Sequence, residues 1–208
     1  GQGGVGLDLQ YNLAAAVKAN LTVNPDFAQV EADEVEINLT RFPTRFDERR
    51  PFFVEGNSFF DTPLDLFFSR RVGSRGDILW GSKVTGKVGD YSVGFLGSQT
   101  RAGDLLDIGS DSPLREEAFY SALRLKRDVS RRSHVGLLYA GKETDAGHSR
   151  VGGLDASLAL DARTDFSGQY AASFAPGSDA DNTAISGGLG RRDHLWDIEL
   201  EFERVAPR

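Results

Sequence analysis

Residues 118–127 read AFYSALRLKR, and this stretch indicates the fold more clearly than any other. Leu123 and Leu125 have one parity, and Arg124 and Lys126 have the other. Successive side chains of a β-strand point to opposite faces, so a strand here has one apolar face and one cationic face. A helix would instead spread the charges around all of its sides. The pattern therefore predicts a strand.

The same alternation recurs along the chain, between turns rich in glycine. The chain has 24 glycines among 208 residues, about 12% against a typical 7%. The other alternating stretches are residues 7–13, 15–23, 35–39, two within 78–100 that meet at Gly89-Asp90, 135–140, 153–161, 165–174, 183–190 and 196–202. We expect about ten to twelve strands, with consecutive strands paired as antiparallel neighbours.

Two architectures fit strands with one apolar face. A soluble sandwich or barrel turns that face inward, whereas a membrane barrel turns it outward. The longest uninterrupted apolar run, Leu13–Val17, is far shorter than the roughly 20 residues of a spanning helix, but strands can also span a bilayer. The polar parity carries Arg, Lys, Asp, Glu, Gln and Ser, as a water-filled lumen does. The residues alone predict one all-β domain over residues 1–208 and leave two architectures open, an antiparallel up-and-down (meander) transmembrane β-barrel and a soluble β-sandwich or barrel.

Residues 41–73 do not alternate and read RFPTRFDERRPFFVEGNSFFDTPLDLFFSRRVG. Arginine interleaved with phenylalanine is compatible with packing inside a folded loop, a surface for planar or anionic ligands, or an interfacial membrane contact. Prolines break regular structure here, so we expect an ordered loop or short helical turns tucked against strands. In a barrel this segment would narrow the lumen. The candidate lumen or constriction residues are Arg45, Asp47, Glu48, Arg49, Arg50, Phe52, Phe53, Glu55, Arg70 and Arg71.

Carboxylates in and near this segment have two interpretations. Glycosidases use acid pairs roughly 5 to 10 Å apart, and Glu48 and Glu55 are candidates for such a pair. The alternative, which we favour, is that these acids neutralise the arginines of the segment, since an unpaired buried charge is costly.

Four strings resemble a known family: TVNPDFAQVEADEVEINLTRF at 22–42, DERRPFFVEG at 47–56, LFFSRRVG at 66–73 and GSKVTGKVGDYSVGFL at 81–96. They are similar to a bacterial family of domains of unknown function that follow a module like the family 9 carbohydrate-binding domains. That family is taken to be an outer-membrane β-barrel. The resemblance covers residues 5–100, and beyond them only the strand pattern agrees.

The resemblance implies a bacterial outer-membrane location, lipid as a partner, and glycans as partners of the N-terminal module. It also implies a barrel with more strands than this chain supplies, so we expect the chain to be a fragment of a larger barrel. Compared with a whole family member, we expect the given sequence to lack the signal peptide and this module. The resemblance implies no reaction.

Signals for other functions are weak. The net charge of −7 provides no broad basic field for nucleic acid. The opening GQGGVG lacks the preceding strand and following helix of a dinucleotide site. The chain has no cysteine, and its histidines, His134, His148 and His194, are scattered, so we predict no cofactor and no metal site.

Three functional hypotheses remain. The first is a non-catalytic outer-membrane barrel that acts as a pore or solute-uptake channel, or as a surface anchor for a carbohydrate-binding module. The second is a membrane-anchored carbohydrate-processing hydrolase that uses acids of the 41–73 segment. The third is a soluble β-sandwich binding module.

Overall fold

The alternating stretches form strands in the computed structural model, which describes residues 5–25, 47–73, 77–101, 117–177 and 182–206. The predicted all-β antiparallel class is confirmed, and the predicted strand at 35–39 lies outside the described residues. The strands are β1 (Leu7–Ala14), β2 (Val17–Val23), β3 (Asp77–Val88), β4 (Tyr91–Arg101), β5 (Ala118–Ser130), β6 (Ser133–Thr144), β7 (Gly147–Ala159), β8 (Thr164–Phe174), β9 (Thr183–Arg192) and β10 (Asp197–Val205).

The ten strands form one sheet in which every strand pairs with its neighbours in sequence. This order is the predicted meander, with antiparallel pairing throughout. The predicted hairpin at Gly89-Asp90 joins β3 to β4, and Gly89 adopts a φ of 58° there. Among the described residues the sheet does not close, because β1 and β10 each pair on one side only.

The two faces of this sheet are covered differently. In β5, Leu123 and Leu125 are each 42% exposed, whereas Arg124 between them is 3% exposed. We call the side of the leucines the apolar face and the side of Arg124 the polar face. The large exposed side chains of the apolar face include Leu21, Val23, Phe95, Leu123, Leu125, Val135, Leu137, Leu154, Phe166, Tyr170, Ile185, Leu189, Ile198, Leu200 and Phe202.

A β-bulge between Ile78 and Trp80 adjusts the alternation at the start of β3. The extra residue lets Ile78 join the buried cluster on the polar face. Trp80 lies on the apolar face, where its ring centroid is 6.0 Å from that of Phe119. Without the bulge both side chains would point to the same face.

The connections at the two ends of the sheet differ in length. At one end every turn has two to four residues, as at Gly89-Asp90 and at residues 160–163. At the other end the chain makes two long excursions, residues 24–76 and 102–117.

Part of the first excursion, residues 47–73, forms what we call the strap. It contains helix α1 (Pro51–Val54) and two 3-10 helices, Asn57–Phe60 and Ser69–Arg71. The predicted short helical turns are therefore present, with Pro51 at the first position of α1, where a proline costs no hydrogen bond. Within the described residues, no helix has the length and hydropathy needed to cross a membrane.

Candidate functional site: the strap on the polar face

The strap rests on the polar face at glycines, where a side chain would leave it no room. At Gly81 an added Cβ would lie 3.0 Å from the Phe52 ring, and at Gly94 it would lie 3.2 Å from the Phe60 ring. These distances are as tight as atoms in a packed interior allow. Gly81 of β3 and Gly94 of β4 therefore leave the space in which the rings of Phe52 and Phe60 pack against the sheet.

The far end of the strap reaches across the sheet to β7 and β8. The Leu66 side chain lies over Gly153 of β7, where an added Cβ would be 2.5 Å from Leu66 Cδ1. The backbone N–H of Leu64 donates to Gln169 Oε1 of β8 at 2.7 Å. The strap thus spans the polar face from β3 to β8.

A small hydrophobic core fills the space between the strap and the sheet. Phe53 is 1% exposed, and its ring meets that of Phe52 edge-on with centroids 4.9 Å apart. The Arg50 guanidinium lies 4.1 Å from the centre of the Phe53 ring. The buried members of this core are Phe52, Phe53, Phe60, Val72, Ile78, Leu96, Ala122 and Leu138.

Lys83 of β3 anchors the strap from below. Its side chain is 2% exposed, and Nζ donates hydrogen bonds to the carbonyl oxygens of Phe52 and Glu55. Carbonyls at the end of a helix lack intrahelical partners, so the ammonium group satisfies groups that α1 leaves open. Lys83 is six residues from Asp77, or about 20 Å along the strand. The strap therefore reaches the middle height of the sheet.

The Glu55 carboxylate fixes the same turn to β1 and β2. It accepts hydrogen bonds from Gln10 at 2.7 Å, Lys18 at 3.0 Å and Asn20 at 2.6 Å. The hydrogen bond from Lys18, followed by that from Asn20, lowers the pKa of Glu55 below its ordinary value. The sequence analysis favoured neutralisation of strap arginines by the nearby acids. The cation that Glu55 binds is instead Lys18, because α1 turns the carboxylate toward β1 and β2.

Glu48 does bind a strap arginine. Its Oε2 accepts from Arg50 Nη2 at 2.7 Å and from Ser69 Oγ at 2.8 Å. Arg50 also donates to the carbonyl oxygens of Val72 at 2.6 Å and Ser69 at 2.9 Å. Burial opposes ionisation of Glu48, but the hydrogen bonds and charge of Arg50 outweigh it and lower the pKa. This network holds the two ends of the strap together.

The other predicted residues that the structure describes, Asp47, Arg49, Arg70 and Arg71, lie near the two ends of the strap. Arg70 donates to the carbonyl oxygen of Asp47 at 2.6 Å. The Arg49 backbone N–H donates to Glu48 Oε1 at 3.1 Å. Arg71 lines a cavity between the strap and the sheet, and Arg45 lies outside the described residues.

A buried ion pair lies on the polar face beside the strap. Arg124 of β5 reaches across β6 and donates through both Nη atoms to the carboxylate of Asp155 in β7, with Nη2 at 2.9 Å. The two side chains are 3% and 2% exposed. Between them on β6 is Gly136, and an added Cβ there would collide with the guanidinium. The glycine makes this three-strand bridge possible.

The cavity beside Arg71 has a volume of about 490 Å³. Its walls are the 66–72 part of the strap and the polar face of β5, β6 and β7. Arg71 contributes a cation from the strap, and Lys142 contributes one from β6.

The geometry does not favour catalysis by the strap acids. A glycosidase general acid needs a raised pKa, whereas the pKa values of Glu48 and Glu55 are both lowered by their partners. Glu48 binds Arg50 and Ser69 within the strap, whereas Glu55 binds side chains of β1 and β2. The two acids therefore have separate structural partners. In the part of the chain that the structure describes, no group of His, Cys, Asp or Glu could hold a metal ion.

The sequence analysis did not identify the strand residues that contact the strap. Lys18, Asn20 and Lys83 lie within the predicted strands, and the sequence analysis assigned them no role. Leu96 and Leu138 carry a signal that could have located the docking surface, because each follows an apolar residue of the opposite parity, Phe95 or Leu137. An apolar doublet in an alternating strand indicates that both faces are covered locally.

Comparison with known proteins gives one finding for the first part of the chain. Comparison with curated proteins and with solved structures gives no match. Residues 2–84 match the model of a family described as a domain of unknown function (DUF5916). The match covers β1, β2, the strap and the first part of β3. It confirms the predicted resemblance to a domain of unknown function over these residues, and the outer-membrane setting and the carbohydrate-binding neighbour stay predictions.

Proposed function

We propose that the sheet is part of the wall of a β-barrel in a bacterial outer membrane, with its apolar face toward lipid and its polar face toward a lumen that the strap narrows. One observation carries this proposal. Leucines of the apolar face are exposed on strands whose polar face holds the packed core and a buried Arg124–Asp155 pair. A water-soluble sandwich would bury the leucines between two sheets, and the described strands form one sheet.

Strand length and connection length support the same arrangement. Strands β3 to β9 have 10 to 13 residues, and about 9 to 11 tilted residues cross the hydrocarbon core. Outer-membrane barrels have short periplasmic turns and longer extracellular loops. The end of the sheet with the Gly89-Asp90 turn is then periplasmic, and the strap enters from the outside.

The role of such a barrel is passage of a small solute. The strap is held at middle height by Lys83 and Glu55, so a solute must pass beside it along a wall of charged and hydroxyl groups. Selection would depend on size and charge, without catalysis.

The same strap favours a second candidate role. If it closes the lumen completely, the barrel anchors a neighbouring carbohydrate-binding module at the membrane. Conductance distinguishes the two roles, because an anchor conducts no ions.

The test is to express the protein with a signal peptide, isolate it from the membrane fraction and examine its migration with and without boiling. We expect a membrane species whose migration changes on boiling, and channels in planar bilayers. Lys83→Met removes the donor to the strap carbonyls and should raise single-channel conductance, whereas the turn variant Arg132→Gln should not. A soluble monomer with no heat shift would refute the barrel.

A further inference from the structure

We propose that a groove on the apolar face holds one glycerophospholipid, with an acyl chain along the groove and the phosphate at Arg127. The inference rests on the proposed function, since it takes the apolar face to be turned toward lipid. The groove crosses strands β5 to β9 and encloses about 780 Å³, which is within the range of pockets that hold small organic ligands. This space is large enough for one ligand and too small for a protein domain.

Apolar side chains form the two sides of the groove. Leu154 and Tyr170, cross-strand partners in β7 and β8, stand on one side and are 58% and 50% exposed. Phe166 stands on the other side. Between them lie Ala156 and Gly168, which also face each other across β7 and β8. The floor is lower than the sides because these two residues have little or no side chain.

The groove is long and narrow because it runs across the strands. It extends from Arg127 in β5 to Ile185 in β9. That path crosses four gaps between neighbouring strands, or about 19 Å at about 4.8 Å for each gap. An extended hydrocarbon chain fits such a shape better than a compact ring does.

Arg127 lies at one end of the groove beside Tyr91. Its guanidinium carbon is 5.4 Å from the centre of the Tyr91 ring. A stacked guanidinium keeps its N–H donors in its own plane, where they can reach an anion. Among the described residues, none forms a hydrogen bond or ion pair with this guanidinium. The neighbouring acid, Asp128, lies on the polar face and binds Lys87. The groove therefore combines apolar sides with an exposed cation at one end.

The position of Arg127 along its strand matches that of a lipid phosphate. Arg127 is three residues from the end of β5 at Ser130, or about 10 Å along the strand. Tyr91 is the first residue of β4, and membrane barrels place aromatic side chains at the level of the lipid headgroups. A glycerophospholipid carries an anionic phosphate at this level, joined to acyl chains that extend into the hydrocarbon. It therefore supplies a partner for both parts of the groove.

The test uses the full chain purified in detergent, and native mass spectrometry counts the lipid molecules that each chain retains. Dioctanoyl phosphatidylglycerol is the probe, and dioctanoylglycerol, which lacks the phosphate, is the matched control. We expect saturable binding of one phosphatidylglycerol. Binding of dioctanoylglycerol should be at least about tenfold weaker, because the charge-assisted hydrogen bonds to Arg127 are lost.

Variants locate the site. Arg127→Gln should weaken phosphatidylglycerol binding at least about tenfold. Arg191→Gln should leave it unchanged, because Arg191 lies on the same face and at the same end of the sheet but outside the groove. Ala156→Phe fills the floor and should weaken binding of both lipids, whereas Ala172→Phe adds the same ring to this face outside the groove and should not. Boiling-dependent migration reports that each variant is folded.

Absence of saturable phosphatidylglycerol binding to a folded membrane species would overturn this inference while leaving the proposed function in place. Equal binding of dioctanoylglycerol, or unchanged binding in Arg127→Gln, would do the same. Displacement of the lipid by glycerol phosphate would assign Arg127 to a free phosphate and overturn the inference. A lipid-free dimer that Ala156→Phe dissociates would assign the groove to a second copy and also overturn it. A soluble chain without heat-dependent migration would instead refute the proposed function, and this inference with it.

Discussion

Strands β3 to β6 and strands β9 to β10 alternate in the same way, but they differ in what covers their polar face. In the first group the strap buries Lys83, Leu96 and Leu138. In β10 every residue is exposed, including Glu199 and Glu201 on the polar face. Alternation therefore determines which way a side chain points, and a separate non-alternating segment determines whether that side chain is buried.

The largest expected effect concerns ion pairs in the two regions. Arg124→Met leaves Asp155 buried without its partner and should lower the free energy of unfolding by about 3–5 kcal/mol. Arg192→Met removes an exposed partner of Asp197 and should cost less than about 1 kcal/mol. Urea unfolding in detergent measures both free energies of unfolding. Equal losses for the two variants would contradict the difference in burial between the two ion pairs.

The next effect compares two phenylalanines. Phe53→Ala empties the core under the strap and should cost about 3 kcal/mol. Phe202→Ala removes a ring that is 59% exposed on the apolar face of β10 and should change the free energy of unfolding in detergent by about 0.5 kcal/mol or less. The same unfolding measurement applies. A larger loss for Phe202 would mean that the apolar face carries a packed core.

A smaller effect compares two strand glycines on the polar face. An added Cβ at Gly81 would contact the Phe52 ring at 3.0 Å and Thr22 at 3.1 Å, whereas at Gly190 it would meet nothing within 4 Å. Gly81→Ala should lower the free energy of unfolding by about 1 kcal/mol. Gly190→Ala should be neutral or stabilise by about 0.5 kcal/mol, because alanine restricts the unfolded chain. Identical changes of the unfolding free energy in the two variants would show that the strap does not pack closely against Gly81.

The smallest effect is a pH dependence of the strap. The partners of Glu48 lower its pKa below the ordinary value of 4.5, so its stabilisation is complete above pH 4.5 and is lost as the pH falls through the lowered pKa. The unfolding free energy should fall less steeply in acid for Glu48→Gln than for the wild type. Glu201→Gln provides the same charge change on the uncovered strands. If the unfolding free energy of Glu48→Gln fell with decreasing pH as steeply as that of the wild type, the stabilising role of the Glu48–Arg50 network would be contradicted.

The sequence predicts most of the sheet because each strand carries its own period. The 118–127 stretch and the Gly89-Asp90 turn required no knowledge of other segments. The bulge at Ile78–Trp80 was not predicted, since nothing in the local pattern marks the extra residue.

The residues that the sequence singled out belong to the strap side alone. Arginine, phenylalanine and acid clusters drew attention to residues such as Arg50 and Phe53, and these do lie in the packed region. Lys83 and Gln10 were not identified, because their partners are 31 and 45 residues away in sequence. Which strand residue contacts which strap residue depends on how the strap packs against the sheet. This packing is a property of the tertiary structure and cannot be obtained from local sequence patterns.

The most direct test of the central claim is to label adjacent residues of the uncovered β10 strand. The chain has no cysteine, so Leu200→Cys and Glu201→Cys each give a unique site for a fluorophore in the full chain reconstituted in lipid vesicles. The account predicts quenching by lipid-borne quenchers at Leu200 and by aqueous iodide at Glu201. Quenching by iodide alone at both positions would contradict an apolar face turned toward lipid.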